Sequence, residues 1–182
     1  MKAVFSRMKG GETCPPRMPL SKVVWSWLGA FIGMYLVAIV SSLTEVDILK
    51  SMFLVGSFGA SAVLIYGAPQ ADFSQPRNFI GGHIISAFIG VSIQQHLALD
   101  VELLGALAVS FSIVAMHFTR TLHPPGGATA LIAVIGSSEI HSNGYLFVVS
   151  PVAIGTLILL VIALVINNLS SNPLRHYPKY WF

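Results

Sequence analysis

Five side chains that can carry or steer charge lie within, or at the ends of, apolar stretches: Arg77, His83, His117, Arg120 and His123. An imidazole changes charge near neutral pH and can pass a proton. A ring of basic groups at a pore mouth concentrates anions. Two runs of small residues accompany them, Gly59-Ala60-Ser61-Ala62 and Gly127-Ala128-Thr129-Ala130. The second run is preceded by His123-Pro124-Pro125-Gly126. Proline has no N–H and biases the residue before it toward extended geometry, and glycine then lets the chain turn. A helix beginning at Gly127 would leave its first amides unpaired, with partial positive charge at that end. The backbone N–H groups of Gly59, Ala60, Ser61, Gly127, Ala128 and Thr129 are therefore the expected site for a small anion, with the Ser61 and Thr129 hydroxyls as matched donors. Arg77, Asn78, His83, His117, Arg120 and His123 are expected to form its pathway or gate. The blander alternatives are that the two arginines anchor the chain at a membrane face and that His83 and His117 are packing histidines.

The elements that must position these groups follow from composition. Of 182 residues, 54% are hydrophobic and only 9% are charged. Mean hydropathy is +0.76. Soluble domains carry about 25% charged residues, and disorder needs low hydrophobicity, so both are excluded. A net charge of +3 without a basic stripe argues against a nucleic-acid partner. An all-α integral membrane protein remains, with the lipid bilayer as its surroundings. Cys14 is alone, so no disulfide or Cys-based metal site is expected, and no cofactor either.

Six apolar segments can be marked, at about residues 23–43, 51–68, 79–97, 103–119, 122–136 and 147–167. The second and fifth are short and interrupted. Cytoplasmic loops are enriched in Lys and Arg. Six crossings with both termini inside place nine of ten basic residues on the inner side, leaving only Lys50 outside. Four crossings with two re-entrant loops would move Arg77 and Arg120 outside. The expected organisation is a cytoplasmic tail over 1–21, a transmembrane domain over 22–168 and a cytoplasmic tail over 169–182. The basic first segment is too long for a signal peptide. Trp25, Trp27, Trp181, Tyr177 and Tyr180 read as an aromatic belt, and Gly29-x-x-x-Gly33 as a packing motif toward another segment or a second protomer.

The two weak segments match each other as Gly-Ala-[Ser/Thr]-Ala-aliphatic, and Leu28-Gly29-Ala30 corresponds to Leu104-Gly105-Ala106. Three crossings per half make the repeat inverted, with halves at about 22–98 and 101–168. Short, Gly-interrupted segments in corresponding places mark the binding site in many transporters. Segments two and five would then be half-helices whose N-termini face one another at the midplane.

The run His123-Pro124-Pro125-Gly126-Gly127-Ala128-Thr129-Ala130 resembles the signature of the HPP family of integral membrane proteins. Gly59-Ala60-Ser61-Ala62, Gln75-Pro76-Arg77-Asn78 and Gly81-Gly82-His83 support the resemblance, which covers roughly residues 20–168. It implies nitrite as a candidate substrate, since members in photosynthetic organisms are implicated in nitrite transport. The family is commonly described with four spans, against the six of the charge count. Some members carry appended CBS domains; none is expected in these residues, so nucleotide-linked regulation is not carried over.

The leading expectation is transmembrane transport of a small inorganic anion, nitrite first. A proton- or metal-ion-coupled carrier using the intramembrane histidines is the alternative, followed by a non-transporting membrane scaffold. No Ser/His/Asp constellation, HExxH or carboxylate pair is visible inside the spans, so an enzyme is not expected. A bacterial inner or plasma membrane is the expected location, with a homodimer as the possible assembly.

Overall fold

Long runs of Leu, Ile, Val and Ala with few breakers form the outer helices of this computed structural model, which describes residues 5, 7, 8, 12–43 and 56–182. Helix α1 covers Leu20–Leu43. A short helix α2, Ser57–Ala62, widens into a π-type turn at Val63–Gly67. Helix α3 covers Pro76–His96, α4 Val101–Thr119, α5 Pro124–Ile135 and α6 Ser138–Asn143. A kinked turn, Val148–Ala153, holds Pro151 and leads into α7, Ile154–Leu169. No strand occurs among the described residues.

Local chemistry sets the boundaries that matter. Both α3 and α5 begin with proline, which loses nothing at a first-turn position whose amide has no partner. The residues before them, Gln75 and His123, are extended, as steric clash with the proline ring requires. Helix α4 closes with paired bonds, Thr121 N–H to Met116 O at 2.9 Å and Arg120 N–H to His117 O at 3.2 Å. This is the Schellman pattern, and Arg120 takes its left-handed position with φ 58°.

Helix α5 packs against α3 and α4, α1 packs against α7, and α2 lies among α1, α5 and α7. The α3–α5 seam is close because glycine lines it. A Cβ at Gly82 would stand 2.5 Å from His123 Cβ, and one at Gly126 would stand 2.8 Å from Gly82 O. Large apolar side chains face outward, among them Phe31, Phe88, Phe111, Phe118 and Val161, while Ser61, His83, His123 and Thr129 are fully buried. Apolar outside with polar groups inside is the arrangement expected in lipid.

Among the described residues, three stretches are long and apolar enough to cross a membrane: 20–43, 101–119 and 148–169. Length and apolarity among the described residues thus mark three of the six expected spans, the first, fourth and sixth. Helix α3 has the length, but Arg77, Asn78, His83, Gln94 and Gln95 dilute it. Helices 57–67 and 124–135 are short, as expected of segments two and five. Residues 51–55 of segment two, with Glu45, Asp47 and Lys50, lie outside the described residues. Of two smaller expectations, the first resolves to packing against another segment and the second changes. Gly29 and Gly33 are buried against Tyr66 within the same chain, so this motif is spent internally. Tyr177 is buried and donates to Ser74 O at 2.8 Å, so it is no belt residue.

Candidate functional site

At the centre of α2, α3 and α5 lies a continuous chain of hydrogen-bonded side chains. Ser57 Oγ and Thr129 Oγ1 are 2.7 Å apart. Thr129 Oγ1 lies 2.7 Å from His83 Nδ1, and His83 Nε2 lies 2.7 Å from Ser61 Oγ. Ser61 Oγ is also 2.8 Å from His123 Nε2, and His123 Nδ1 meets Phe73 O at 2.7 Å. Every side chain in this chain is almost wholly excluded from solvent. Phe58 and Phe79 press edge-on against His83 at centroid distances of 5.6 and 5.4 Å, and Phe79 against His123 at 5.3 Å.

Each element contributes through its spacing. Ser57 and Ser61 stand one turn apart on the buried face of α2, while Ala60 points outward. Thr129 stands on the buried face of α5, while Ala128 points outward. Ser57 pairs with Thr129 and Ser61 with His123, so the index rises along one helix as it falls along the other. Helices α2 and α5 therefore lie side by side and antiparallel.

This differs from two N-termini facing each other across a bare-amide site. The helices start at Ser57, just before the expected Phe58 or Gly59, and at Pro124, earlier than the expected Gly127. Ala60, Ser61, Ala128 and Thr129 are then one turn inside, where carbonyls four residues back take their amides. At the start of α5 two prolines supply no N–H, and Gly126 N–H is bonded to His123 O at 2.8 Å. Gly59 N–H is bonded to Gly56 O at 3.2 Å. What the structure presents at this place is hydroxyl and imidazole side chains rather than free amides.

The residues expected at the pathway divide. His83 and His123 are in the network. Asn78 is buried beside it and donates to Leu122 O at 2.9 Å, holding the loop before His123. Arg77 donates to Thr119 O at 2.8 Å and to Arg120 O at 3.2 Å, capping the end of α4. Arg77, Asn78 and Arg120 share a cavity of about 420 Å³ with Asp72, Tyr180 and Phe182. Asp72 is paired there with Lys179 at 3.2 Å. His117 is exposed on the last turn of α4 and joins neither group. A larger cavity, about 580 Å³, lies between α1 and the chain around 62–71; its mostly apolar wall includes Trp27, Ala30 and Val63 and none of these groups.

Sequence reasoning missed Ser57 and the Phe73 carbonyl. Ser57 had a signal, four residues before Ser61 on one helical face; a carbonyl in a loop had none. No group of three or more His, Cys, Asp or Glu gathers among the described residues. His83 and His123 therefore offer a metal ion two imidazoles with Ser61 between them, short of the three or four protein ligands usual for zinc.

The comparisons agree with the signature residues. The family model for the HPP transmembrane region matches residues 15–178. A transmembrane protein of Dictyostelium discoideum is 46% identical over 181 residues, covering 98% of this chain and 57% of that protein. A second from the same organism is 43% identical over 176 residues, covering 95% of this chain and 60% of its own length. The chain thus spans under two thirds of the curated relatives it matches. No solved structure matches. Both relatives are from a eukaryote, so the expected bacterial location loses its footing, while a membrane location stands. With its model matched over nearly the whole length, the chain belongs to the HPP transmembrane family.

Proposed function

We propose that this chain transports a small inorganic anion across a lipid bilayer, with nitrite as the first candidate. The observation that carries the reading is one juxtaposition. A basic vestibule lined by Arg77, Asn78 and Arg120 adjoins, through the Asn78–Leu122 bond, a buried polar network in an otherwise apolar bundle. Guanidinium groups at a mouth raise the local anion concentration. Neutral hydroxyl and imidazole donors beyond it can replace water around an anion without burying a second full charge. Polar groups at membrane depth cost free energy, which makes a functional role their default reading.

The antiparallel pairing of α2 with α5 supports the six-crossing inverted repeat, because Ser61 and Thr129 hold matching places in it. On this reading both termini are cytoplasmic, the protein is no enzyme and needs no cofactor, and a homodimer is the assembly first tested. Nitrite is a suggestion of the family resemblance alone.

The test is nitrite uptake into proteoliposomes holding a nitrite-responsive reporter, comparing wild type with Arg120→Gln. Uptake above empty liposomes, slowed in the variant, supports the reading. Folded protein that passes neither nitrite nor a panel of small anions makes the scaffold reading the better one.

A further inference from the structure

The cavity of about 580 Å³ beside α1 lies apart from the histidine network, and its wall changes character along the helix. On α1 that wall runs from Lys22 through Ser26 and Trp27 to Ala30. Steps of four, one and three keep these residues on one helical face. Eight residues at 1.5 Å each make the wall about 12 Å long. Lys22 stands at the start of a membrane-length helix, where headgroups lie, and Ala30 stands deeper, among acyl chains. Across from α1 the cavity is lined in part by Gly67, where an added Cβ would meet nothing within 4 Å.

The cationic end is built from two groups. Arg175 lines the cavity and is 1% exposed. Its guanidinium has five N–H donors and keeps its charge. Four donors go to neutral acceptors: Lys22 O, Ser26 Oγ, Tyr66 O and Asn167 Oδ1. The fifth, Nε–H, is buried without an acceptor. Among the described residues no carboxylate pairs with Arg175 or with Lys22; the ion pair among them joins Lys179 to Asp72. Arg175 reaches the Lys22 carbonyl at 3.2 Å, so both cations serve the same end of the cavity. A buried charge without a partner is costly, and an anion placed beside it offsets that cost.

We infer that this cavity binds one anionic phospholipid of the surrounding bilayer, with the phosphate at Lys22 beside the Arg175 guanidinium and an acyl chain along Trp27 and Ala30. The phosphate meets the Lys22 ammonium directly, while Arg175, closed off from solvent, acts through its charge. A basic pocket between helices at a membrane face is the arrangement that holds anionic headgroups. Trp27 and Val63 line the cavity and are 63% and 70% exposed, so it is continuous with the apolar outer surface along which a lipid enters. A free inorganic anion would answer the charge and leave the apolar wall unfilled. A neutral lipid would fill the wall and leave the guanidinium without a counter-charge. The site stands whether or not the chain transports anions.

The test places the full chain in phosphatidylcholine nanodiscs and titrates in lipids brominated on the acyl chain, which quench tryptophan on contact. The Trp27 signal is the difference between wild type and Trp27→Phe. Brominated phosphatidylglycerol should half-quench it at about a tenfold lower mole fraction than brominated phosphatidylcholine, as two cations near an anionic headgroup imply. Lys22→Gln should remove most of that preference, and Gly67→Leu should weaken quenching by filling the cavity without touching a charge. Neither residue is buried, so both variants should fold, which circular dichroism checks. Arg17→Gln removes a base of the exposed tail that does not line the cavity and should leave the preference intact. Equal half-quenching by the two lipids in wild type overturns the site. So does a loss in Arg17→Gln as large as in Lys22→Gln, which would mean general attraction to a charged surface. Quenching relieved by inorganic phosphate would assign the cavity to a small free anion and overturn the lipid.

Discussion

Ser61 and Thr129 hold the same place in two matching tetrapeptides, and they bond the two opposite ring nitrogens of His83, each at 2.7 Å. A single imidazole on α3 is thereby clamped between the two halves of the repeat. The clamp requires α2 and α5 to bring Ser61 and Thr129 to opposite edges of that ring. Exchanging one hydroxyl for a methyl breaks it on one side only.

Thr129→Val and Thr129→Ser separate hydroxyl from volume. Val keeps the shape but leaves buried His83 Nδ1 without its hydrogen-bond partner, which costs roughly 1–3 kcal/mol. Ser restores the hydroxyl and loses one methyl. Thermal unfolding in detergent should rank wild type and Ser above Val, and anion uptake should follow the same order. A Val variant as stable and active as Ser would remove the network from the site.

Gly59 and Gly82 should respond oppositely to alanine. Gly82→Ala drives a methyl to 2.5 Å from His123 Cβ and 2.9 Å from Thr121 O. Neither neighbour is the free end of a flexible chain, so overpacking of roughly 1–3 kcal/mol is expected. A Cβ at Gly59 meets nothing within 4 Å, and mid-helix alanine is favoured over glycine by about 0.5–1 kcal/mol. Melting temperatures of the two variants check both signs. Uptake intact in Gly59→Ala would speak against an anion resting on that stretch of backbone.

The two vestibule arginines differ in their bonding, so their variants should differ in kind. Arg77→Gln removes the side-chain bonds to Thr119 and Arg120 carbonyls and should lower stability by about 1 kcal/mol. Arg120→Gln should leave stability nearly unchanged and slow anion uptake at low ionic strength. That deficit should shrink in high salt, because screening removes the long-range field. Arg120→Gly should raise the melting temperature by relieving the left-handed backbone at φ 58°.

Behind the bundle, the tail is held by Arg175, which is 1% exposed and donates to Tyr66 O at 2.9 Å, Asn167 Oδ1 at 2.7 Å, Ser26 Oγ at 3.0 Å and Lys22 O at 3.2 Å. Arg175→Met strands the buried Tyr66 and Asn167 acceptors and should destabilise by roughly 1–3 kcal/mol. Burial raises the neighbouring Tyr177 phenol above its ordinary value. The folded form thus keeps its proton to higher pH than the unfolded form. Its contribution is fully present below about pH 10 and declines as pH rises beyond that. Melting curves from neutral to strongly alkaline pH should therefore fall less steeply for Tyr177→Phe than for wild type.

Composition by itself determined that this is an all-α membrane protein, because so few charges among so many apolar residues leave no soluble alternative. Pro124 and Pro125 determined where α5 begins, since proline is tolerated there and almost nowhere else in a helix. The small-residue tetrapeptides marked Ser61 and Thr129 as a pair. Tertiary structure decided what that pair touches. Their bonds to His83 and His123 join residues 22, 46 and 62 positions apart, and Ser57 meets Thr129 across 72. No local period or propensity encodes such separations; they follow from how α2, α3 and α5 pack. The same packing separated His117 from the other two histidines, because it stands on the outward side of α4. It also put a loop carbonyl at the end of the network, where backbone chemistry common to every residue gains a role only through position.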